Sequence, residues 1–175
     1  MLKIIIFFIF SLIILKISWP DILNIHGRKF YRFFALEFLF LLILVNFGYW
    51  LKNPFTLFRI ITWMILCGSF ILASYAIYQL LQDGKPRISV NIETTTSMVT
   101  SKIYEYIRHP LYSSLILLGA VTLIKNPSLL ATSLFSVATV FLYATARIEE
   151  KENLLKFGQD YAVYMERSNM FIPFL

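Results

Sequence analysis

Residues 110–147 read PLYSSLILLGAVTLIKNPSLLATSLFSVATVFLYATAR. Two apolar runs, Pro110 to Ile124 and a second reaching about Thr145, are parted only by Lys125-Asn126-Pro127. Asn126 is of a type that caps helix starts. Proline fits a first helical position, where its missing N–H has no partner to lose. A link this short returns the second helix antiparallel to the first, so the stretch is expected to be a helical hairpin. The first run, at about 15 residues, is thin for a bilayer core that ~20 residues cross.

Three further apolar runs precede it. Ile4 to Ile17 is interrupted by Ser11 and Lys16; Lys3 and Lys16 can snorkel outward, and Trp19 suits the interface. No small-x-small site follows, and only Lys3 precedes it, so a retained helix is expected rather than a cleaved signal peptide. A polar connector, Pro20 to Arg32, leads to a second span from about Phe33 to Trp50. Glu37 sits one turn inside that span. A carboxylate there marks function by default; the structural alternative is pairing with Arg32 or a neighbouring helix. Lys52-Asn53-Pro54 makes a break before a third span, about Leu57 to Leu81, which Asp83-Gly84-Lys85-Pro86 ends. The polar stretch Lys85 to Arg108 holds an Ile88 to Ile92 alternation that fits a short extended piece. From Arg147 the chain is charged and amphipathic, closing on Phe171-Ile-Pro-Phe-Leu175.

Composition agrees. Of 175 residues 58% are hydrophobic and 15% charged, with 17 Phe, against roughly 45–50% and ~25% in soluble domains. Mean hydropathy is +0.70. A water-soluble globule of this size could not hide that much apolar surface. A nucleic-acid-binding domain, a secreted disulfide scaffold and a disordered regulator all fit poorly. The single cysteine, Cys67, permits no internal disulfide and is expected as an inert core residue; His26 and His109 are too few for a histidine metal cluster. The expected fold class is therefore an all-α integral membrane protein. It has about five transmembrane helices, the last two a short hairpin, and an amphipathic cytoplasmic C-terminal segment.

With five spans and the N-terminus outside, twelve of the 16 basic residues fall on inside segments; Lys3, Lys52, Arg59 and Lys125 fall outside. That bias puts segments 83–109 and 146–175 on one cytoplasmic face, and it explains the net charge of +6 without nucleic acid.

No GxGxxG, P-loop, GxSxG or HExxH occurs. Polar residues instead crowd the cytoplasmic mouths of the last two helices. Tyr104-Glu-Tyr-Ile-Arg108-His109-Pro110-Leu-Tyr112 places Arg108 and His109 just before a helix start. Unpaired backbone N–H groups and the positive dipole end there suit an anion. Arg108 adds a forked donor, and Tyr104, Tyr106 and Tyr112 add flat faces for an adenine. The alternative is plain interface anchoring. Arg147-Ile-Glu149-Glu150 follows the fifth helix, and the hairpin returns both glutamates to the same face. There a carboxylate can meet an ammonium group or orient Arg108; a solvated helix, with Arg147 and Lys151 as partners, is the plainer reading.

Tyr104-x-Tyr-x-Arg-His-Pro-x-Tyr112 resembles the motif shared by isoprenylcysteine carboxyl methyltransferases and small phospholipid methyltransferases. Their second motif, one hairpin later, here reads Arg147-Ile-Glu-Glu150-x3-Leu154-x2-Phe157-Gly158-x2-Tyr161-x2-Tyr164, and Phe171-Ile-Pro173 resembles the family's ending. The resemblance covers roughly residues 99–173. It departs at Lys102, where the family often has glycine two residues before the first tyrosine. The resemblance implies S-adenosylmethionine bound in a cytosol-facing pocket, with Tyr104, Arg108, His109, Pro110, Tyr112, Glu149 and Glu150 on the matching binding positions. Arg108 and Glu150 are expected nearest the chemistry: Arg108 to hold a carboxylate acceptor, Glu150 to take a proton from an amine acceptor. The acceptor is expected to be lipid-like or prenylated and to partition into the membrane, with no nucleic acid and no metal involved. An amino phospholipid, an isoprenoid and a small thiol remain open as well. Residues 1–82 form three N-terminal spans in this reading, and 83–175 the cofactor-binding catalytic region. Its rivals are a non-catalytic helical scaffold with a relic motif and a nicotinamide-dependent membrane reductase.

Overall fold

The computed structural model describes residues 2–19, 21–50, 52, 56–85 and 95–173. The Ile88 to Ile92 piece, Asn53-Pro54, Pro86 and the last two residues lie outside them. Among the described residues the chain is all helical: α1 (Leu2–Ser18), α2 (Arg28–Asn46), α3 (Leu57–Asp83), α4 (Ile103–Tyr106), α5 (Pro110–Lys125), α6 (Leu129–Phe157) and α7 (Gln159–Arg167), with 3-10 turns at Asp21–Leu23 and Phe47–Tyr49. Segments Arg28–Tyr49, Leu57–Asp83 and Leu129–Phe157 are long and apolar enough to cross a membrane; α5 is shorter. The protein is an integral membrane protein on these helices.

α3 shows why. Its buried positions, Thr62, Leu66, Ser69, Ala76 and Gln79, follow helical spacing and are mostly small or polar. Its exposed positions include Phe58, Met64, Phe70 and Ile71. That is the reverse of a water-soluble helix, because hydrocarbon accepts large apolar side chains while close helix packing selects small ones. Cys67, expected in the core, is exposed for the same reason.

The chain divides into two compact units, residues 1–66 with 116–149 and residues 67–115 with 150–175. In the first, α1 packs on α2 through Phe10 stacked on Phe40 at 3.7 Å. Ser11 Oγ of α1 donates to Glu37 Oε2 at 2.7 Å, so a neighbouring helix rather than Arg32 supplies this partner. Gly119 of α5 admits close approach: a Cβ there would lie 2.9 Å from both Leu39 Cδ1 and Phe135 Cδ2. Asn46 Nδ2 donates to the Thr122 carbonyl at 2.8 Å, tying the end of α2 to α5. The expected Asn126 cap is corrected. Ser128 Oγ accepts the Ala131 N–H at 3.1 Å and caps α6, while Asn126 turns its amide to Asn46 Oδ1 at 3.4 Å. Pro127 consequently precedes the cap.

The second unit packs Ala76, Val99 and Tyr104 with Leu80, Ile103 and Leu111. α6 runs on from its apolar part to Phe157 without a break at Arg147. It stops at Gly158, whose φ of 58° lies in the left-handed region that favours glycine. α7 then buries Tyr161 and Tyr164.

Candidate active site

Tyr104 N–H bonds the Ser101 carbonyl at 3.1 Å, closing a four-residue turn. Within it Lys102 has φ 57° and ψ −117°, near the second position of a type II′ turn, which glycine dominates. The lysine that departs from the family pattern therefore stands where the backbone itself asks for glycine. One turn of α4 follows, then Ile107 is extended and bridges in parallel to Asn169. Pro110 opens α5, as its missing N–H predicts.

The segment after α7 lies along this entry. Asn169 N–H donates to the Tyr106 carbonyl at 3.1 Å, Arg108 N–H to the Asn169 carbonyl at 2.8 Å, and His109 N–H to the Met170 carbonyl at 3.1 Å. Ser113 Oγ donates to the Phe171 carbonyl at 2.7 Å. The chain's own carbonyls thus take the backbone amides of the two residues that precede α5.

The side chains converge on Glu150. The buried stripe of α6 runs Ala131, Leu134, Ala138, Leu142 and Ala146, and the next position on that face is Glu150, 1% exposed. Arg108 Nε donates to Glu150 Oε1 at 2.8 Å. Arg108 Nη1 donates to the Met165 carbonyl at 3.0 Å and also to that of Ser168. The guanidinium therefore joins α6 to both ends of the C-terminal turn. His109 Nε2 lies 3.6 Å from the same Glu150 oxygen, and its ring stacks on Tyr112 at 5.4 Å. Burying such a pair gains little net energy, but removing one partner strands the other charge at ~3–5 kcal/mol. Arg108 and Glu150 stand or fall together.

Glu149, one residue earlier, belongs to the first unit, where Arg28 Nη1 lies 3.8 Å from its Oε1. Of the tyrosines expected to offer faces, Tyr104 and Tyr112 are buried and Tyr106 is exposed. Tyr164, which no sequence argument singled out for a role, donates its O–H to the Tyr104 carbonyl at 2.6 Å. Burial, with Tyr161 adding to it, holds the Tyr164 phenol above its ordinary pKa, so it stays a donor. Gln79, a lone amide in the apolar run of α3, is fully buried. Among the described residues no three metal-ligating side chains gather.

Residues 60–157 match the isoprenylcysteine carboxyl methyltransferase (ICMT) family. A methanethiol S-methyltransferase of Crocosphaera subtropica is 32% identical over 82 residues, 47% of this chain and 31% of that protein. Methanethiol S-methyltransferase 1 of Bradyrhizobium diazoefficiens is 25% identical over 112 residues, 63% of this chain and 38% of that protein. The chain thus spans about a third of the length of these relatives. No solved structure matches. The matched stretch runs from α3 through the Arg108–Glu150 pair to the end of α6, more than half of the sequence, and the chain belongs to the isoprenylcysteine carboxyl methyltransferase family.

Proposed function

We propose that the protein transfers a methyl group from S-adenosylmethionine to a membrane-partitioned, lipid-like acceptor. The observation that carries this reading is the convergence of Arg108, His109 and Glu150 at 2.8 and 3.6 Å within the family-matched stretch. The donor set fits the cofactor: the Glu150 carboxylate suits its ammonium and sulfonium, tyrosines its adenine, and Arg108 its carboxylate. Bound there, it would supply an already activated methyl. The chain's own part is to orient, to exclude water and to hold protons. Arg108 acts mainly by position, since its Nε and Nη1 bonds hold Glu150 and the C-terminal turn. Glu150 holds Arg108 and His109, and for an amine acceptor it is the base that takes the proton.

In this reading the chain crosses the membrane five times, α5 and α6 form a hairpin, and residues 83–175 make the catalytic region with the C-terminus in the cytoplasm. A second acceptor class, a small thiol, is favoured by the names of both relatives. For a thiol, His109 oriented by Glu150 would take the proton.

Calorimetry on the purified protein tests the cofactor, with NADPH as the rival ligand. Labelled S-adenosylmethionine supplied with a lipid extract or with methanethiol tests the acceptor. Binding of S-adenosylmethionine, and its loss in Glu150→Ala, is expected. A folded wild-type protein that binds none overturns the reading.

A further inference from the structure

We propose that Gln79 is a positioning residue for the cofactor-binding segment, an inference that rests on the methyltransferase reading above. Gln79 sits near the end of α3 and is fully buried, at 0% exposure. Its Nε2 donates to the Ser101 carbonyl at 3.2 Å, and its Oε1 accepts the Ile103 N–H at 3.3 Å. These two backbone groups flank Lys102 on either side. One carboxamide therefore grips the peptides on both sides of Lys102, whose φ of 57° favours glycine.

The residue type follows from this geometry. A carboxamide presents a donor and an acceptor on one planar group. A carboxylate presents acceptors only and leaves the Ser101 carbonyl without this donor. An alkyl group serves neither. Shortening by one carbon, to asparagine, withdraws both atoms from the turn.

The turn is the entry to the site. Two residues on, Tyr104 is buried among Ala76 and Val99, with its carbonyl accepting from Tyr164. Four residues beyond that lies Arg108. Where glycine would let the turn form unaided, this chain carries lysine and supplies a clamp from α3. Lys102 Nζ, 3.8 Å from Asp83 Oδ2, pairs at the surface; the clamp acts on its backbone. The buried amide of Gln79 thus compensates for a departure from the family pattern at Lys102.

The experiment uses the full chain in detergent and four variants: Gln79→Leu, Gln79→Glu, Lys102→Gly and the double variant Gln79→Leu/Lys102→Gly. Two quantities are read on the folded fraction: hydrogen exchange of the amides in residues 101–104, and KM and kcat for S-adenosylmethionine. Gln79→Leu is expected to speed exchange at Ile103 and raise KM roughly tenfold, the factor for about 1.4 kcal/mol of lost buried bonding, with kcat less affected. Gln79→Glu is expected to keep Ile103 protected and to raise KM less. Lys102→Gly in the Gln79→Leu background is expected to return KM most of the way, which a merely structural role for Gln79 would not produce.

Unchanged exchange and KM in folded Gln79→Leu would overturn the proposal, as would a double variant no better than Gln79→Leu. Should Gln79→Leu not fold, Gln79→Glu and the double variant decide; if neither folds, Gln79 is purely structural and the proposal falls. Wild-type protein that binds no S-adenosylmethionine would sink the functional reading instead, and the exchange data would still judge the clamp.

Discussion

Arg108→Lys separates a charge from a geometry. If Arg108 merely anchored the helix end at the interface, lysine would replace it at little cost, because both side chains snorkel and carry one positive charge. The structure gives the guanidinium three acceptors: Glu150 Oε1 through Nε, and the Met165 and Ser168 carbonyls through Nη1. These acceptors lie on α6, on α7 and just after α7. Lysine brings a single nitrogen and cannot stand at both Nε and Nη1. It keeps either the carboxylate or the two carbonyls. A hydrogen bond to a charged group is worth ~1.5–3 kcal/mol, and a buried carbonyl left bare costs ~1–3 kcal/mol. The bonds share one group and do not add fully, so the expected loss is ~2–4 kcal/mol in the docking of the C-terminal segment. The pair is too well buried for solvent to screen this, the side chains being 10% and 2% exposed. The assay is limited proteolysis from the C-terminus beside methyl incorporation from labelled S-adenosylmethionine, both normalised to inserted protein. Arg108→Lys is expected to insert normally, to lose C-terminal fragments much faster and to lose most transfer, while Lys16→Arg behaves as wild type. Wild-type protease resistance and transfer in Arg108→Lys would refute the keystone role and restore the anchor reading.

Three further outcomes are expected. Gly158→Ala should lower the thermal midpoint although nothing lies within 4 Å of the added carbon, because the backbone conformation alone costs ~1–3 kcal/mol; an unchanged midpoint would mean that α6 and α7 are not joined through a left-handed residue. Tyr164→Phe should cost ~1 kcal/mol by removing the bond to the Tyr104 carbonyl. The gap should narrow as pH rises past ~10, where the unfolded chain ionises its phenol and the buried one resists, so wild type alone loses stability there; a gap that is constant to pH 11 would speak against burial of this hydroxyl. In a Cys67→Ser background, needed because Cys67 is exposed, a cysteine added at the C-terminus should label only after the membrane is opened and one at the N-terminus in intact cells; the reverse pattern would overturn the proposed orientation.

Much of the fold was legible in the sequence because helix signals are local. The apolar run Leu57 to Leu81 became α3, Leu57–Asp83, and Pro110 opened α5 where its chemistry predicted. Composition alone required a membrane, since no interior could hold so many large apolar side chains. Arg108, His109 and Glu150 could be named from their motif, and Glu150 falls on the buried face because it continues a spacing visible in the letters. What each of these residues touches was not legible. Arg108 meets partners 42, 57 and 60 residues away, and no periodicity reports on such pairs. The cap of α6 passed from Asn126 to Ser128 because Asn126 had a partner 80 residues distant. Cys67 faced outward because the choice between core and lipid is made by neighbouring helices, both environments being apolar. Gln79 looked like an ordinary residue near a helix end until folding brought the Lys102 turn within 3.3 Å of its amide. Local sequence determines which segments are helical and which of their faces can be buried. Only tertiary structure decides which donors and acceptors those faces bring together, because contact across tens of residues depends on the packing of every helix between them.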